Sequence, residues 1–472
     1  MKTVLAFDFG ASTGRAIKAV YDGESINYEE IHRFQNTPKT VDGHVCHDVE
    51  MILREVKEAI GKAGKIDSLA FDTWGVDYAL LDKNGKLMHE PYHYRDERTA
   101  DALEKAFSKI GAYELYEETG NQIMNINTLF QLICDDNAKK ADKLLFMPDL
   151  FGYLLTGKKV CEISIASTSQ MLNIKEKKWS KKLLELFGIE ETLFAPLCES
   201  ATSNGEYNGI PVISVAGHDT QCAVAAMPAQ SENAAFLSCG TWSLIGCELE
   251  ESVVTKESNA LELSNEIGAN GKINFLKNIS GLWLIQETRR DLQKMQHDYS
   301  YNELEMLARK SEPFRSFIDP DDNSLSAHGN LPDKIRAYCK KTNQSIPENT
   351  GQVIRCIYES LALKYRLALC QIKKCTGKEF DVLHLMGGGT KDAFLCELTA
   401  KSLGIPVVAG PVEATALGNI ILQLIALGEI ENIEEGRKLI TQTQNVKTYN
   451  EEHTSDWDEA FERFCKVTKN NI

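Results

Sequence analysis

The stretch that decides the fold is LAFDFGASTGRAIKAVYDG, residues 5–23. Two runs rich in β-branched and aromatic residues flank a turn of small residues, which is typical of two strands joined by a tight connection. Asp8 stands at the end of the first run, and Gly10 and Gly14 bound the turn. The sequence therefore predicts a β-hairpin with a carboxylate beside a loop of very little side-chain bulk.

Two interpretations of this turn are open from its residues alone. Converging backbone N–H groups make an anion-binding nest, to which the Ser12 and Thr13 hydroxyls would add donors and Arg15 a positive charge. Asp8 would then be a partner for magnesium, through water, because this cation keeps several of its water ligands. Alternatively, Asp8 caps the backbone of its own turn and binds no ligand.

The same pattern returns at residues 234–250, AAFLSCGTWSLIGCELE. When Gly10 is aligned on Gly240, Asp8 falls on Ser238. Two halves that each open with strand, glycine turn and strand predict a duplicated α/β unit with a cleft between the copies. The expected domains are 1–230 and 231–472, packed closely around a hinge because no Pro-, Gly- or Ser-rich linker separates them.

Composition limits the class of partner. The 472 residues suit two domains, and a formal net charge of −16 argues against nucleic acid and anionic membranes as partners. The N-terminal apolar run is too short for a signal peptide, and the apolar residues 419–428 span only half a membrane. Thirteen cysteines without a CxxC pair indicate small buried residues in a reducing compartment. We therefore expect a cytoplasmic protein.

Hydrophobic periodicity predicts several helices. One covers HDVEMILREVKEAIGKAG, residues 47–64, and ends at Gly61 or Gly64. Residues 100–200 are expected to be largely helical. The chain is expected to close with an amphipathic helix in EEHTSDWDEAFERFCKVTK, residues 451–469.

The common nucleotide-binding motifs are missing. GxxxxGK[ST] does not occur, and no GxGxxG follows the first strand. Asp219, in GIPVISVAGHDTQ, residues 209–221, is more informative, because an apolar strand ends there and a helix begins. Ligands bind at such strand ends in parallel sheets, so Asp219 is either a proton acceptor for a substrate hydroxyl or the N-cap of the helix.

Two further turns are candidates for ligand contact. In FDTWGVD, residues 71–77, Gly75 would allow a ligand to approach the backbone, and Trp74 packs either on a sugar or in the core. In MGGGTKD, residues 386–392, three glycines join a strand to a helix, either for a phosphorylated ligand or for close packing. The charged cluster of YHYRDERT, residues 92–99, is interpreted as a solvated group of ion pairs.

Taken in order, these motifs resemble the FGGY family of sugar kinases. The matching blocks are DFGASTGR (8–15), DTWGVDYALLD (72–82), YRDERT (94–99), GHDTQCAVAA (217–226), LSCGTWSLIG (237–246), LKNISGLWLIQE (276–287), GGGTKDAFLCELTA (387–400) and AGPVEATALGNI (409–420). Within the family these blocks are most similar to the branch that phosphorylates L-rhamnulose. The resemblance implies two RNase H-like domains of the actin-like ATPase type, enclosing ATP and sugar.

The resemblance also implies a role for individual residues. Asp219 would be the catalytic base, and Asp8 would hold Mg²⁺ through water. The nucleotide would be bound by Ala11, Ser12, Thr13, Gly14, Arg15, Thr241, Gln286, Gly388 and Gly389. The sugar would be bound by Gly75, His218, Asp219, Thr220 and Asn278. Ser238 would replace a second carboxylate that would repel the triphosphate.

The implied reaction is transfer of the ATP γ-phosphate to the 1-hydroxyl of L-rhamnulose, by a monomer or small homo-oligomer. A kinase for another ketose, such as L-fuculose or xylulose, is the alternative within the family. A non-catalytic sugar or nucleotide sensor is the alternative outside enzymes. One departure from the family pattern, Ile267 in LSNEIGANG (263–271), where glycine is usual, puts the local loop in doubt.

Overall fold

The computed structural model describes residues 1–10 and 12–469. Its strands are β1 Lys2–Phe9, β2 Thr13–Tyr21, β3 Ile26–Gln35, β4 Lys39–Val41, β5 His44–Cys46, β6 Ser68–Thr73, β7 Tyr78–Leu81, β8 Lys143–Phe146, β9 Cys161–Glu162, β10 Leu172–Asn173, β11 Lys178–Trp179, β12 Leu197–Cys198, β13 Thr202–Tyr207, β14 Ile210–Ser214, β15 Ala234–Cys239, β16 Trp242–Leu249, β17 Ser264–Ile267, β18 Ile273–Ser280, β19 Val382–Met386, β20 Val407–Ala409 and β21 Lys447–Tyr449.

The α-helices are α1 Val49–Ala63, α2 Ala102–Phe107, α3 Ala112–Thr119, α4 Thr128–Leu132, α5 Met147–Thr156, α6 Ile163–Ala166, α7 Lys181–Phe187, α8 Asp219–Ala225, α9 Lys256–Ala260, α10 Trp283–Lys294, α11 Tyr301–Arg309, α12 Leu331–Lys341, α13 Thr350–Thr376, α14 Ala393–Leu403, α15 Ala414–Ala426, α16 Ile433–Thr443 and α17 Ser455–Thr468. Short 3₁₀ turns cover Glu97–Thr99, Ala138–Lys140, Glu191–Leu193, Asn323–Leu325 and Gly388–Lys391.

The chain forms two compact units that are not contiguous in sequence. The first unit comprises Met1–Pro228, Glu248–Phe275 and Ala414–Gln444. The second unit comprises Ala229–Cys247, Leu276–Glu413 and Asn445 onward. Two segments beyond residue 230 belong to the first compact unit. The division of the chain into domains 1–230 and 231–472 stays a prediction.

The first unit is built on a six-stranded sheet of order β13-β14-β6-β1-β2-β3. Strands β1, β6 and β14 are parallel, whereas β2, β3 and β13 pair antiparallel to their neighbours. Side chains alternate along β1, so Leu5, Phe7 and Phe9 pack on one face, with α1 and α5. Val4 and Ala6 face α15 on the other side. Asp8 follows the same alternation and therefore lies on the α15 side.

The second unit repeats this arrangement. Its sheet strands run in the order β18-β16-β15-β19-β20-β21, with β15, β19 and β20 parallel and with β16 and β21 antiparallel to their partners. Position by position, this order corresponds to β3-β2-β1-β6-β14-β13 of the first unit. The hairpin duplication predicted from the two glycine turns is thus present in the strand order of both sheets.

Local signals placed the ends of α1 and the position of the C-terminal helix correctly. The Asp48 carboxylate caps α1 by accepting from the Met51 N–H, and Gly64, with φ 69°, ends the helix. The C-terminal amphipathic helix forms as α17. Residues 100–200 are more mixed than expected, because short strands β8 to β12 alternate with the helices there.

The segment around Ile267 is a strand rather than a loop. Ile267 ends β17, is fully buried, and donates its N–H to the Ser167 hydroxyl at 2.9 Å. A branched side chain fits here because it packs in the core of the first unit. Among the described residues, no helix is both long and apolar enough to cross a membrane.

Candidate active site

Three carboxylates gather at the ends of neighbouring strands in the first unit. Asp8 on β1 is directly opposite Asp72 on β6, and Asp219 follows β14 at the start of α8. Burial, and then the charge of Asp8, raise the pKa of Asp72 well above its usual range. Burial also raises the pKa of Asp219, with Asp8 adding to the rise. The sheet order therefore places three carboxyl groups near one another at neighbouring strand ends.

Asp72 is tied to a buried amide network. Asn419 on α15 donates to Asp72 Oδ2 at 2.7 Å, and Gln423 donates to Asn419 Oδ1 at 2.8 Å. The Ser68 hydroxyl donates to Gln423 at 2.7 Å. The second oxygen of Asp72, Oδ1, is buried and has no hydrogen-bond partner among the described residues. The network thus fixes one oxygen of Asp72 and leaves the other available.

The first glycine turn is held by groups outside it. Gly10 donates its N–H to the Thr13 carbonyl at 2.9 Å, and Asn36 contacts both sides of the turn, at the Ser12 and Gly10 carbonyls, at 3.0 Å. Arg15 pairs with the Asp8 carboxylate. Asp8 therefore forms an ion pair across the hairpin, and its role as a metal partner stays a prediction. Ala11 lies outside the described residues.

Gly14 makes the close approach in this hairpin possible. It is directly opposite Phe34 on β3, and a Cβ at Gly14 would overlap the Phe34 ring. Phe34 in turn packs edge-on against Phe9, with ring centres 5.6 Å apart. The glycine is required here by cross-strand packing, in addition to any ligand.

Asp219 is neither free nor a helix cap. The N-cap of α8 is His218, and Asp219 Oδ1 accepts from the Thr220 N–H at 2.6 Å and from the Thr220 hydroxyl at 3.3 Å. His218 Nε2 lies 3.4 Å from the same oxygen. The Asp219 side chain remains 34% exposed. The alternative of a simple N-cap is thus wrong, and the carboxylate can be reached by a substrate.

The turn after β6 carries backbone strain beside Gly75. Val76 has φ 68°, a left-handed conformation that is unfavourable for a β-branched residue. Its carbonyl accepts from the Thr128 hydroxyl at 2.7 Å, and its N–H donates to Thr168 at 3.3 Å. A Cβ at Gly75 would stand 3.5 Å from the His218 ring. The turn thus brings Gly75 against His218, and the contact of both residues with a sugar stays a prediction.

Trp74 belongs to the core of the first unit. Its side chain is buried, its indole N–H donates to Asp77 Oδ2 at 2.9 Å, and its ring packs on His47.

The 92–99 cluster is also largely internal. Asp96 is buried and accepts from the Val45 N–H, and the Arg98 guanidinium covers the Tyr92 ring. The expectation of a solvated ion-pair group therefore holds for Arg95 and Glu97, which are exposed, and fails for Asp96 and Arg98, which are enclosed.

The second unit holds the other predicted residues. Gly240 donates its N–H to the Trp242 carbonyl at 2.8 Å, which closes the second glycine turn. The Thr241 hydroxyl lies 3.4 Å from the Gln286 amide oxygen on α10. Two residues predicted to contact nucleotide, 45 positions apart, are therefore neighbours. Asn278 is half-buried on β18.

The GGG turn packs against the same hairpin. A Cβ at Gly389 would come within 2.7 Å of Cys239 Cβ, at the end of β15. Gly387, with φ 83°, and Gly388 open the 3₁₀ turn that precedes α14. Close packing is thus one established reason for these glycines, and it places Gly388 and Gly389 beside the Gly240 turn.

Sequence reasoning missed two residues of the first unit, Glu266 and Asn419. Glu266 accepts from His218 Nδ1 at 2.9 Å and from the Gln221 amide at 2.7 Å, and Asn419 binds Asp72. Glu266 and Asn419 come from segments distant in sequence, so no local spacing connects them with the site. In the sequence, Glu266 and Asn419 stand out only as polar residues within apolar segments.

Family comparisons cover both halves of the chain. The N-terminal domain model of the "FGGY family of carbohydrate kinases" matches residues 3–227, and the C-terminal domain model matches residues 235–427. A rhamnulokinase of Bacteroides thetaiotaomicron is 42% identical over 97% of this chain and 98% of its own. Those of Enterococcus faecalis and Bacillus subtilis are 39% and 38% identical, over 94–95% of this chain and 94% of their own.

Solved structures support the fold. A ligand-bound xylulose kinase from Lactobacillus acidophilus superposes with a TM-score of 0.81 at 16% identity, covering 99% of this chain and 98% of the other. A Plasmodium falciparum glycerol kinase with ADP has a TM-score of 0.77, also at 16% identity and 98% coverage of both chains. The predicted two-domain α/β fold of the actin-like ATPase type is confirmed. With both domain models matched and relatives near 40% identity over the whole length, the chain belongs to the FGGY family of carbohydrate kinases.

Proposed function

We propose that this chain transfers the ATP γ-phosphate to the 1-hydroxyl of L-rhamnulose, giving L-rhamnulose 1-phosphate and ADP. The substrate is proposed from the relatives, which carry the name rhamnulokinase and align over nearly the full length. The structural observation that carries the chemistry is Asp219, an accessible carboxylate at the end of the first unit's parallel strands.

Asp219 is the catalytic base in this proposal. Its carboxylate would accept the proton of the sugar hydroxyl as the bond to phosphorus forms. Thr220 holds one oxygen of Asp219 through two hydrogen bonds, so the carboxylate keeps a fixed direction. His218, Thr220 and Gly75 would contact the sugar beside it, and Asn278 is also proposed to contact the sugar.

In this proposal carboxylates of the first unit hold a magnesium ion. Oxygen ligands are those Mg²⁺ prefers, and Asp72 Oδ1 is a buried acceptor that lacks a hydrogen-bond partner among the described residues. Asp8, opposite Asp72, would hold the ion through water. When bound, the ion would neutralise phosphate charge. The rise in the pKa of Asp72 caused by burial and by Asp8 is the electrostatic cost that a cation would relieve.

The glycine turns would bind the nucleotide. In the first unit Ala11, Ser12, Thr13, Gly14 and Arg15 would cradle its phosphates, with backbone N–H groups as donors. In the second unit Thr241 would contact the terminal phosphates, and Gln286, Gly388 and Gly389 would lie beside the rest of the nucleotide. The shared contact of Thr241 with Gln286 supports this assignment. On this proposal the partners are ATP and the ketose, and a monomer or small homo-oligomer acts in the cytoplasm.

An ATP-coupled assay over a panel of ketoses tests the proposal. We expect kcat/KM for L-rhamnulose to exceed that for L-fuculose and for D- or L-xylulose at least tenfold. A higher kcat/KM for one of those sugars would show that this sugar is the substrate, and the proposed kinase activity would stand. Tight sugar or nucleotide binding without turnover of any ketose would favour a sensor.

A further inference from the structure

We propose that Glu266 is a positioning residue of the kinase reaction, which orients the His218 imidazole so that its Nε2 faces Asp219 and steadies the anionic base. This inference rests on the proposed role of Asp219 and extends it to a strand, β17, to which sequence reasoning assigned no role. It concerns residues of the first unit alone.

Glu266 forms hydrogen bonds with residues on both sides of Asp219 in the turn at the start of α8. One oxygen, Oε2, lies 2.9 Å from His218 Nδ1 and accepts from the Gln221 amide at 2.7 Å. His218 precedes Asp219 by one residue, and Gln221 follows it by two. All three partners, Glu266, His218 and Gln221, are buried. Glu266 thus fixes the residues on either side of the base without touching the base itself.

A further amide makes the arrangement directional. Asn274 on β18 donates its side-chain N–H to Gln221 Oε1, which turns the Gln221 NH₂ group toward Glu266. Ile267, the residue after Glu266 on β17, donates its backbone N–H to the Ser167 hydroxyl. Because the amide of Gln221 can only donate to Glu266, the glutamate acts as acceptor at Oε2. With Glu266 ionised, that oxygen can only accept, so in our proposal His218 Nδ1 carries the proton.

The orientation of His218 has an electrostatic consequence. With Nδ1 donating to Glu266, Nε2 lies 3.4 Å from Asp219 Oδ1. Burial alone would lower the pKa of His218, but Glu266, followed by Asp219 and Glu162, raises it overall. A protonated imidazole in this place opposes the rise in the Asp219 pKa that burial and Asp8 produce. Glu266 therefore keeps the base ionised at lower pH.

Several charged groups lie near His218 and Asp219 and influence the pKa values that a pH–activity profile measures. His218 faces Glu266 from β17, Asp219 from α8 and Glu162 from the end of β9. Asp219 additionally faces Asp8 from β1 and Asp72 from β6. Among the described residues, Glu266 and Asp219 are the carboxylates that form ion pairs with the imidazole, at Nδ1 and Nε2. A change confined to Glu266 therefore acts on Asp219 through His218.

Glu266→Gln tests the proposal, because it keeps the shape of the side chain and removes its charge. On whichever ketose the enzyme turns over, we expect the acidic limb of kcat/KM to move up by about one pH unit and kcat to fall about tenfold, with KM for ATP unchanged. Glu251→Gln, at an exposed glutamate of the same unit, is the matched control and should leave the profile unchanged. A folded Glu266→Gln enzyme with the unaltered pH profile would overturn the proposal.

A second measurement keeps the test independent of activity and of variant stability. In ¹⁵N-histidine-labelled native protein, the His218 signal, assigned from the His218→Gln spectrum, should show protonated Nδ1 across the titration and a pKa above that of exposed histidines. An Nδ1 without a proton in the neutral ring would overturn the proposal even if Glu266→Gln fails to fold. Absence of any ketose turnover would instead count against the proposed function.

Discussion

Asn419 donates its side-chain amide to the Asp72 carboxylate at 2.7 Å, although the two residues are 347 positions apart in sequence. The hydrogen bond joins α15 to β6 within the first unit, and its acceptor Asp72 is one of the three carboxylates at the strand ends. It shows how a late segment of the chain completes the support of a site that begins at residue 8.

Replacing Asn419 by leucine should destabilise the protein. The substitution keeps the volume but removes the donor to a buried carboxylate, so the free energy of unfolding should fall by about 1–3 kcal/mol. Urea unfolding measures this. Asn302→Leu, at an exposed position of α11, is the control and should change stability by less than about 0.5 kcal/mol. Equal losses in both variants would contradict the role given to the Asp72 contact.

Asp219→Asn should lower kcat by about 10²-fold or more, because an amide cannot accept the hydroxyl proton. Steady-state kinetics with saturating ATP and sugar measures this, and circular dichroism checks the fold. Asp136→Asn, at an exposed carboxylate, should keep full activity. Near-native turnover of Asp219→Asn would show that another group is the base.

Two glycines of the first unit should respond oppositely to alanine. Gly14→Ala should destabilise the hairpin and raise KM for ATP, because the new Cβ overlaps the Phe34 ring. Adding Phe34→Leu to this variant should restore part of the loss. Thermal unfolding and ATP kinetics of the single and double variants measure the coupling, and strictly additive effects would argue against the ring as the cause.

Gly61→Ala should instead stabilise the protein by about 0.5–1 kcal/mol. Gly61 lies inside α1 with helical φ, and outside its own helix no described atom lies within 4 Å of an added Cβ. Alanine loses less backbone entropy on folding than glycine does. Urea unfolding provides the comparison, and a loss of stability would indicate a contact at this helix face.

Stability should decline in mild acid because of His93. Burial, followed by the opposing charge of Asp77 and the charges of His47 and Arg95, leaves the pKa of His93 at about 4. Its Nδ1 accepts from the Arg95 N–H at 3.0 Å, so the folded state favours the neutral ring. Since the unfolded ring has a pKa near 6.5, the unfolded state binds more protons below that pH. The contribution of His93, up to about 3 kcal/mol, is therefore complete above pH 6.5 and is lost between pH 6.5 and 4.

Urea unfolding of the native protein and of His93→Gln at pH 7.5, 6 and 5 measures this effect. Glutamine can still accept from the Arg95 N–H but does not titrate. We expect the variant to lose less stability than the native protein between pH 7.5 and 5. Parallel pH dependences would assign the acid sensitivity to other groups.

Local sequence signals were sufficient wherever a feature depends on neighbouring residues. The two glycine hairpins, the cap and stop of α1, and the amphipathic α17 follow from periodicity, turn residues and capping, and each lies where it was predicted. The family followed from several motifs in a fixed order, which the comparisons confirmed. The roles of single residues, such as Asp219 as base, remain predictions.

The features that failed depend on tertiary packing. Ile267 was expected in a loop because glycine is usual there, but the core accepts its side chain on β17. For Trp74 the sequence left a sugar contact open beside the commoner place in the core, and the Asp77 acceptor and the His47 ring place it in the core.

The sequence by itself determined the duplicated hairpins, the turn glycines and the family, because these depend on short-range backbone geometry and on residue order. Only the tertiary structure decided which distant side chains support the carboxylates. The partners of Asp72 and His218, Asn419 and Glu266, come from segments whose position follows from helix–sheet packing and strand order. A hydrogen bond across 347 residues has no local pattern, since it forms only once those elements have packed.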